Sequence, residues 1–373
     1  MTGKLSPYSA DTMNTSADPI NGVLFQDHGW KKLQQLLADP ATGRCFILTD
    51  NNTRNHCLNP FYEHLEVSRQ RFEVLEIPAG EAHKNLHSCL GLWESMSKLG
   101  ADRSSVLINL GGGVVTDMGG FVASTYQRGI RFVNIPTTLL AMVDASIGGK
   151  NGVDLGTLKN QIGIIREPDF VILDPIFLNT LGKEQLLSGQ AEMYKHGLIS
   201  NQNYWEAVKG FDPSNKTESI QLIRDSVVIK AGIVEQDPRE KGLRKSLNFG
   251  HTLGHAIESF CLEPDSKLLP LLHGEAIAIG MILEVFISMR KHGFPEIEGH
   301  QVIDHLVNTY PQRRFDRDDQ LVITGLMKHD KKNKNGQVNF VLLSDFGQIE
   351  FDQQVEQELL DSAFEFYNNL ISV

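Results

Sequence analysis

The stretch VLINLGGGVVTDMGGFVAS, Val106–Ser124, decides the fold. A short β-branched apolar run is followed at once by Gly111, Gly112 and Gly113, and then by a helix-forming segment. Glycines at that place allow positive φ or close backbone approach, and the amides of a following helix N-terminus favour a pyrophosphate. The same letters also suit a bare strand-to-helix turn, and they are not the GxGxxG fingerprint. Working outward, similar runs recur at CFILT (Cys45 to Thr49), FEVLEI (Phe72 to Ile77), RFVNI (Arg131 to Ile135) and FVILD (Phe170 to Asp174), separated by helical or loop segments. That alternation predicts an α/β, Rossmann-like domain over 21–180, its mainly parallel sheet covered by helices. Asp50, at a strand end, is placed to take ribose hydroxyls, and PAGEAHKN offers Glu81 and Lys84 on another such loop. Each could equally be solvated surface.

After about Leu181 the texture changes to long stretches with helical periodicity: LGKEQLLSGQAEMYKHGLI, SIQLIRDSVVIKAGIVEQD, HTLGHAIESFCL, HGEAIAIGMILEVFISMRKHG and VEQELLDSAFEFYNNLI. The second half, 181–373, therefore reads as an all-α domain. QVNFVLLS, preceded by Asn335-Gly336, adds a small hairpin. Residues 1–20 read as a polar arm. A length of 373 residues suits two domains.

A net charge of -11 argues against a nucleic-acid partner, whose phosphates need clustered Lys and Arg. Cys45, Cys57, Cys89 and Cys261 are scattered without a Cys-x-x-Cys, so neither a thiolate zinc site nor a disulfide framework is indicated, and a cytoplasmic location fits. No signal-like or membrane-spanning segment is expected. AIAIGMILEVFISM is interrupted by Glu284 and reads as a buried helix.

Chemistry concentrates in the second half. His251 and His255 stand four apart, so a helix would place both on one face, while His273 and Glu192 come from other segments. One carboxylate with two or three imidazoles suits a divalent metal with an open position; with 13 His in the chain, an i, i+4 pair also arises by chance. Asp144, Lys150, Lys159 and Asn160 lie amid glycines and apolar residues, and with Lys195, Lys230, Arg244 and the DKK at Asp330 to Lys332 they form a recurrent basic set. A small substrate with two anionic groups would use such a set, Arg bidentately and Lys as a point charge.

The ordered blocks TDNN, PAGEAHK, GGGVVTDMGGFVASTYQRGIRFVNIPTTLLAMVDASIGGKNGVD, LKNQIG, GQAEMYKHGLI, KAGIVEQD, GLRKSLNFGHTLGHAIE, LHGEAIAIGM and HDKK resemble 3-dehydroquinate synthase, of the sugar phosphate cyclases. The resemblance implies a shikimate-pathway lyase, a homodimer with recycled NAD and a zinc or cobalt ion. Its substrate would be 3-deoxy-D-arabino-heptulosonate 7-phosphate. It implies Glu192, His251 and His273 as metal ligands, with His255 handling protons. Asp144 and Lys195 would address ring hydroxyls. Lys150, Asn160 and Asn248 would face the phosphate, with Lys331 or Lys332 and with Arg128 from the other subunit. Lys230 and Arg244 would hold the carboxylate. Asp50, Glu81, Lys84, Gly111, Gly112, Gly113, Asp117, Thr137, Thr138, Lys159 and Thr180 would line the NAD. Three departures stand out: Asn151 where Thr is common, Gly182 where Pro is common, and the long insert CLEPDSKLLPLL before His273. The rivals are a sister cyclase making a valiolone or amino-cyclitol precursor, and a metal-dependent polyol dehydrogenase.

Overall fold

All five apolar runs become strands of one parallel sheet, because each is an unbroken β-branched and apolar segment that can be buried on both faces. The computed structural model describes residues 2–4, 20–65, 67–156, 158–263, 266–327 and 338–371. After a short strand β1 (Thr2–Lys4) come β2 (Val23–Phe25), β3 (Cys45–Asp50), β4 (Phe72–Ile77), β5 (Val106–Gly111) and β6 (Arg131–Pro136), then a two-stranded hairpin, β7 (Lys150–Leu155) and β8 (Leu158–Ile165), and β9 (Phe170–Leu173). The six-stranded sheet has the order β2-β9-β6-β5-β3-β4, every pair parallel. Helices α1 (Gln26–Ala38), α2 (Asn51–Glu63), α3 (Leu86–Lys98) and α4 (Gly113–Thr125) link its strands. The chain proceeds from β3 to β4 on one side and then crosses to β5 on the other, so the carboxyl ends of β3 and β5 flank the point where the winding reverses. In open parallel sheets such a point is where ligands bind.

Helix α4 is buried almost all round. Gly119 and Gly120 make this possible: a Cβ on Gly119 would lie 1.9 Å from Asn109 Oδ1 of β5, and one on Gly120 would lie 1.8 Å from Asn151 Oδ1 of β7. Asn151, one of the departures from the family pattern, thus packs against α4 and donates from Nδ2 to the carbonyls of Gly149 and Arg166. The hairpin β7–β8 has no counterpart in the sequence reading, which took the region as a polar cluster; its Gly, Lys and Asn content hides the strand signal.

The remaining helices are α5 (Lys183–Ser200), α6 (Gln202–Val208), α7 (Lys216–Gln236), α8 (His251–Leu262), α9 (His273–His292), α10 (Glu296–Thr309), α11 (Arg317–Met327) and α12 (Gln357–Leu370), with strands β10 (Phe340–Asp345) and β11 (Gln348–Gln353). By contact the chain divides into two compact units. The α/β unit runs to Leu186 and takes in Asp212–Ala231; the helical unit holds Leu187–Phe211, the chain from Gly232 and β1. Within the helical unit, α9 is the central rod, buried from Gly274 to Met289. Helix α8 lies against it at small residues: a Cβ on Gly280 would sit 2.0 Å from the Gly250 carbonyl oxygen, and one on Gly254 would meet Ile277. The hairpin foreseen around QVNFVLLS turns after its first strand, at Phe346-Gly347 where Gly347 has φ 69°, and pairs β10 with β11. The Asn335-Gly336 pair expected to make the turn lies outside the described residues, as do residues 5–19 of the expected arm.

Candidate active site

In the α/β unit Gly111 ends β5, Gly112 is the residue before α4 and Gly113 opens that helix. None of them has a positive φ, so of the two freedoms glycine offers here it is close approach that the turn uses. A Cβ on Gly111 would be 2.6 Å from Val115, on Gly112 3.0 Å from Thr138, and on Gly113 3.3 Å from Ala145. Backbone on both sides closes the turn, Thr137 N donating to Gly111 O at 3.0 Å. Thr138 Oγ1 accepts from Ala141 N at 3.2 Å. Asp50, across the crevice end on β3, accepts through Oδ1 from Thr53 N at 2.7 Å and caps α2.

Lys84, Asp117 and Asn160 form one knot. The buried Lys84 ammonium donates to Asp117 Oδ2 at 2.6 Å and to Asn160 Oδ1 at 2.7 Å. Burial alone would lower its pKa, but Asp117, Glu81 and Asp154 outweigh that and raise it. Lys159 lies 3.1 Å from Glu81 and 3.4 Å from Asp154, and Asn160 has a φ of 50°, held by its N–H to Asp154 Oδ1 at 2.6 Å. Asp154 escaped the sequence reading; only its position, four residues after Lys150 in a hairpin, reveals it. Asp144 sits in a single π turn, Ala141–Ala145, and Lys230 Nζ donates to its Oδ1 at 2.6 Å and its carbonyl at 2.5 Å. Arg128 is exposed at a turn in which Gln127, Arg128 and Gly129 have φ of 48°, 70° and 115°. Lys150 begins β7 and Thr180 ends the 3-10 turn Pro175–Thr180, both exposed.

In the helical unit the second cluster is assembled from three helices. Glu192 and Lys195, three apart on α5, are fully buried and paired with each other. His251 opens α8 and His273 opens α9, and their Nε2 atoms lie 3.4 and 3.5 Å from the same Glu192 Oε1. Each ring's other nitrogen is engaged: His251 Nδ1 with Phe249 O at 3.1 Å, His273 Nδ1 with Glu258 Oε2 at 3.2 Å. His255 joins them, with one ligating atom from each of the three imidazoles within 4.8 Å of the others. Burial would raise the Glu192 pKa, but Lys195 and His251 hold its carboxyl well below the usual range. Burial and the Lys195 charge push His251 down. His273 is opposed by burial yet pushed up to about 10 by Glu258 and Glu192.

Glu284, buried on α9, accepts from Gly250 N at 2.6 Å and Leu253 N at 3.3 Å and so caps α8 at the residues flanking His251. The sequence shows it only as a charge inside an apolar helix, and that interruption was its signal. Arg244 is buried in the 3-10 turn Leu243–Asn248, its guanidinium donating to Pro238 O at 3.0 Å. Asp237, which receives the N–H groups of Lys241, Gly242 and Arg244, folds this loop. Asn248 ends the same turn and donates to Glu240 Oε1 at 2.8 Å. Lys331 and Lys332 lie outside the described residues. Among the described residues no helix is long and apolar enough to cross a membrane.

Family models described as 3-dehydroquinate synthase N-terminal and 3-dehydroquinate synthase C-terminal match residues 74–188 and 189–333. The chain is 42% identical over 344 residues to a 3-dehydroquinate synthase of Parabacteroides distasonis, covering 92% of this chain and 96% of that one. It is 39% identical to one of Leptospira interrogans, covering 86% and 87%. Among solved structures it is similar to 2-epi-5-epi-valiolone synthase from Streptomyces hygroscopicus subsp. jinggangensis with NAD+ and Zn2+ bound, at a TM-score of 0.80 and 25% identity, covering 95% and 98%. The fold is also that of a 2-deoxy-scyllo-inosose synthase complexed with carbaglucose-6-phosphate, NAD+ and Co2+, at a TM-score of 0.78 and 24% identity, covering 92% and 96%. With both halves matched and close relatives along nearly its whole length, the chain belongs to the 3-dehydroquinate synthase family.

Proposed function

We propose that this protein converts 3-deoxy-D-arabino-heptulosonate 7-phosphate to 3-dehydroquinate and phosphate. The observation that carries the reading is the convergence of two imidazole Nε2 atoms on the buried Glu192 carboxylate, in a chain so similar to 3-dehydroquinate synthases. The donor set fits a divalent ion, zinc or cobalt: two neutral-nitrogen ligands and one carboxylate leave a position open for substrate oxygens. The glycine turn fits NAD, because added Cβ atoms would fill the approach to the N-terminus of α4 at the winding switch of the sheet. When bound, NAD would accept and return a hydride and the ion would polarise neighbouring hydroxyls.

The protein's own groups do the remainder. Glu192, His251 and His273 would hold the ion. Lys195, buried beside Glu192, would face developing oxyanions, and Asp144 would address the ring hydroxyls. Arg244 and Lys230 would hold the substrate carboxylate. Lys230 reaches Asp144 here, so the carboxylate must draw it off that partner on binding. Lys150, Asn160 and Asn248 would face the phosphate, with one lysine of the DKK and Arg128 of a partner subunit. His255, on the same helix face as His251, would move the proton. Asp50, Glu81, Lys84, Asp117, Thr137, Thr138, Lys159 and Thr180 would line the dinucleotide. With NAD and the ion bound, the residues above would hold one intermediate in place through phosphate loss and an intramolecular aldol closure.

Purified protein incubated with the heptulosonate phosphate, NAD and zinc is expected to release phosphate and form the carbocycle with no net NADH. Accumulating NADH would instead favour a dehydrogenase, and equal turnover of a sugar phosphate lacking the carboxylate would favour a sister cyclase.

A further inference from the structure

Glu258 has no part in the roles set out above. It stands seven residues after His251 on α8, two helical turns along the same side. Its Oε2 lies 3.2 Å from Nδ1 of His273, the first residue of α9. An imidazole that donates its Nδ1 proton to an acceptor presents the Nε2 lone pair outward, and a carboxylate acceptor both fixes the ring plane and makes Nε2 a stronger donor. Nε2 of His273 is the atom that faces Glu192 Oε1. His251 obtains the same orientation differently, from the backbone carbonyl of Phe249. The two histidines therefore have unequal supports: one is backbone and cannot be mutated away, the other is a side chain.

We propose that Glu258 is a positioning residue for the metal site, holding His273 in the Nδ1-protonated tautomer with Nε2 aimed at the ion. Helix α8 would then serve both imidazoles, contributing His251 itself and the carboxylate that orients His273. This rests on the reading of Glu192, His251 and His273 as ligands. A plain ion pair between helices would use the same two residues, but it would contribute to folding alone and leave metal affinity unchanged.

The test is zinc affinity of the metal-free full chain, read by competition with a chromophoric chelator, together with the visible absorption of the cobalt(II)-loaded protein. Glu258→Ala is expected to weaken zinc about 10–100-fold, the range for outer partners of metal-bound histidines, and to alter the cobalt spectrum. Glu258→Gln, whose amide oxygen still accepts from Nδ1–H, should lose less and keep a spectrum nearer that of the unaltered protein. NAD binding and circular dichroism should be unchanged in both. Unaltered zinc affinity in Glu258→Ala, with affinity lost in His273→Ala, overturns the proposal and leaves the ligand reading standing. Unaltered affinity in His273→Ala as well sinks the ligand reading and the proposal together. If Glu258→Ala does not fold, Glu258→Gln decides, and unaltered zinc affinity with an unaltered cobalt spectrum in that variant overturns the proposal.

Discussion

At the scale of single residues, the proposed metal site of the helical unit would exchange a proton for its ion. His273 has its pKa pushed up to about 10 by Glu258 and Glu192 against burial. In the metal-free protein the pairing of the charged ring therefore adds stability that is full below the ordinary histidine value near 6.5 and is lost as pH rises through about 10. Zinc takes only the neutral ring, so at pH 8 its binding should release about one proton, measurable by calorimetry in two buffers of different ionisation enthalpy. No release would mean that His273 is already neutral. His273→Ala should lose zinc and turnover while still binding NAD, as followed by fluorescence. Arg244→Ala should raise KM about 30-fold or more, the kinetic counterpart of the roughly 2–5 kcal/mol lost when a buried charge loses its partner. An unchanged KM would remove Arg244 from the carboxylate. Helical spacing singled out His251 and His255 in the sequence, while the division of roles among Glu192, His251, His255 and His273 came from the family resemblance. Glu258 and Asp154 were not legible there, since their roles depend on neighbours distant in the chain.

At the scale of elements, legibility followed burial pattern. The five β-branched runs were found to within a residue, and α8 and α9 by their full periodic stretches, because a segment buried on a whole face must show it in sequence. β2 is three residues long, too short to carry a period, and β7 and β8 are masked by Gly, Lys and Asn. α10 and α11, whose first turns are acidic, were not among the periodic stretches. Close packing of α8 on α9 is where the elements are least forgiving. Gly280→Ala would bring a Cβ to 2.0 Å from the Gly250 carbonyl, and we expect a loss of about 1–3 kcal/mol from overpacking, seen as a lower midpoint in urea. An unchanged midpoint would show that the helices can slide apart. The backbone bonds Glu284 makes at the start of α8 tie that same contact to the position of His251.

At the scale of the whole molecule, the left-handed turn at Gln127, Arg128 and Gly129 presents an exposed arginine where the proposed reading needs one supplied to a partner subunit. In the proposed homodimer, Arg128→Ala should lose turnover without a change of assembly by light scattering, and mixing it with an inactive Lys195→Ala chain should restore part of the activity. Activity lost only through dissociation would end the trans assignment. The family blocks in the sequence implied this arrangement, but no composition or period could, because assembly depends on shape.

The insert between α8 and α9 raises the question of how His273 reaches its place, and Gly274 answers it. Its N–H donates to Ser188 Oγ at 3.0 Å, and its α-carbon lies so close to α5 that a Cβ would sit 2.0 Å from the Ser188 carbonyl oxygen. The start of α9 is thus anchored to the helix that carries Glu192. Within the insert Leu269 is 73% exposed, whereas Leu271, next to α9, is buried. A peptide tag inserted beside Leu269 should therefore leave His273 beside Glu192, since the start of α9 is held from α5 and not from the loop tip.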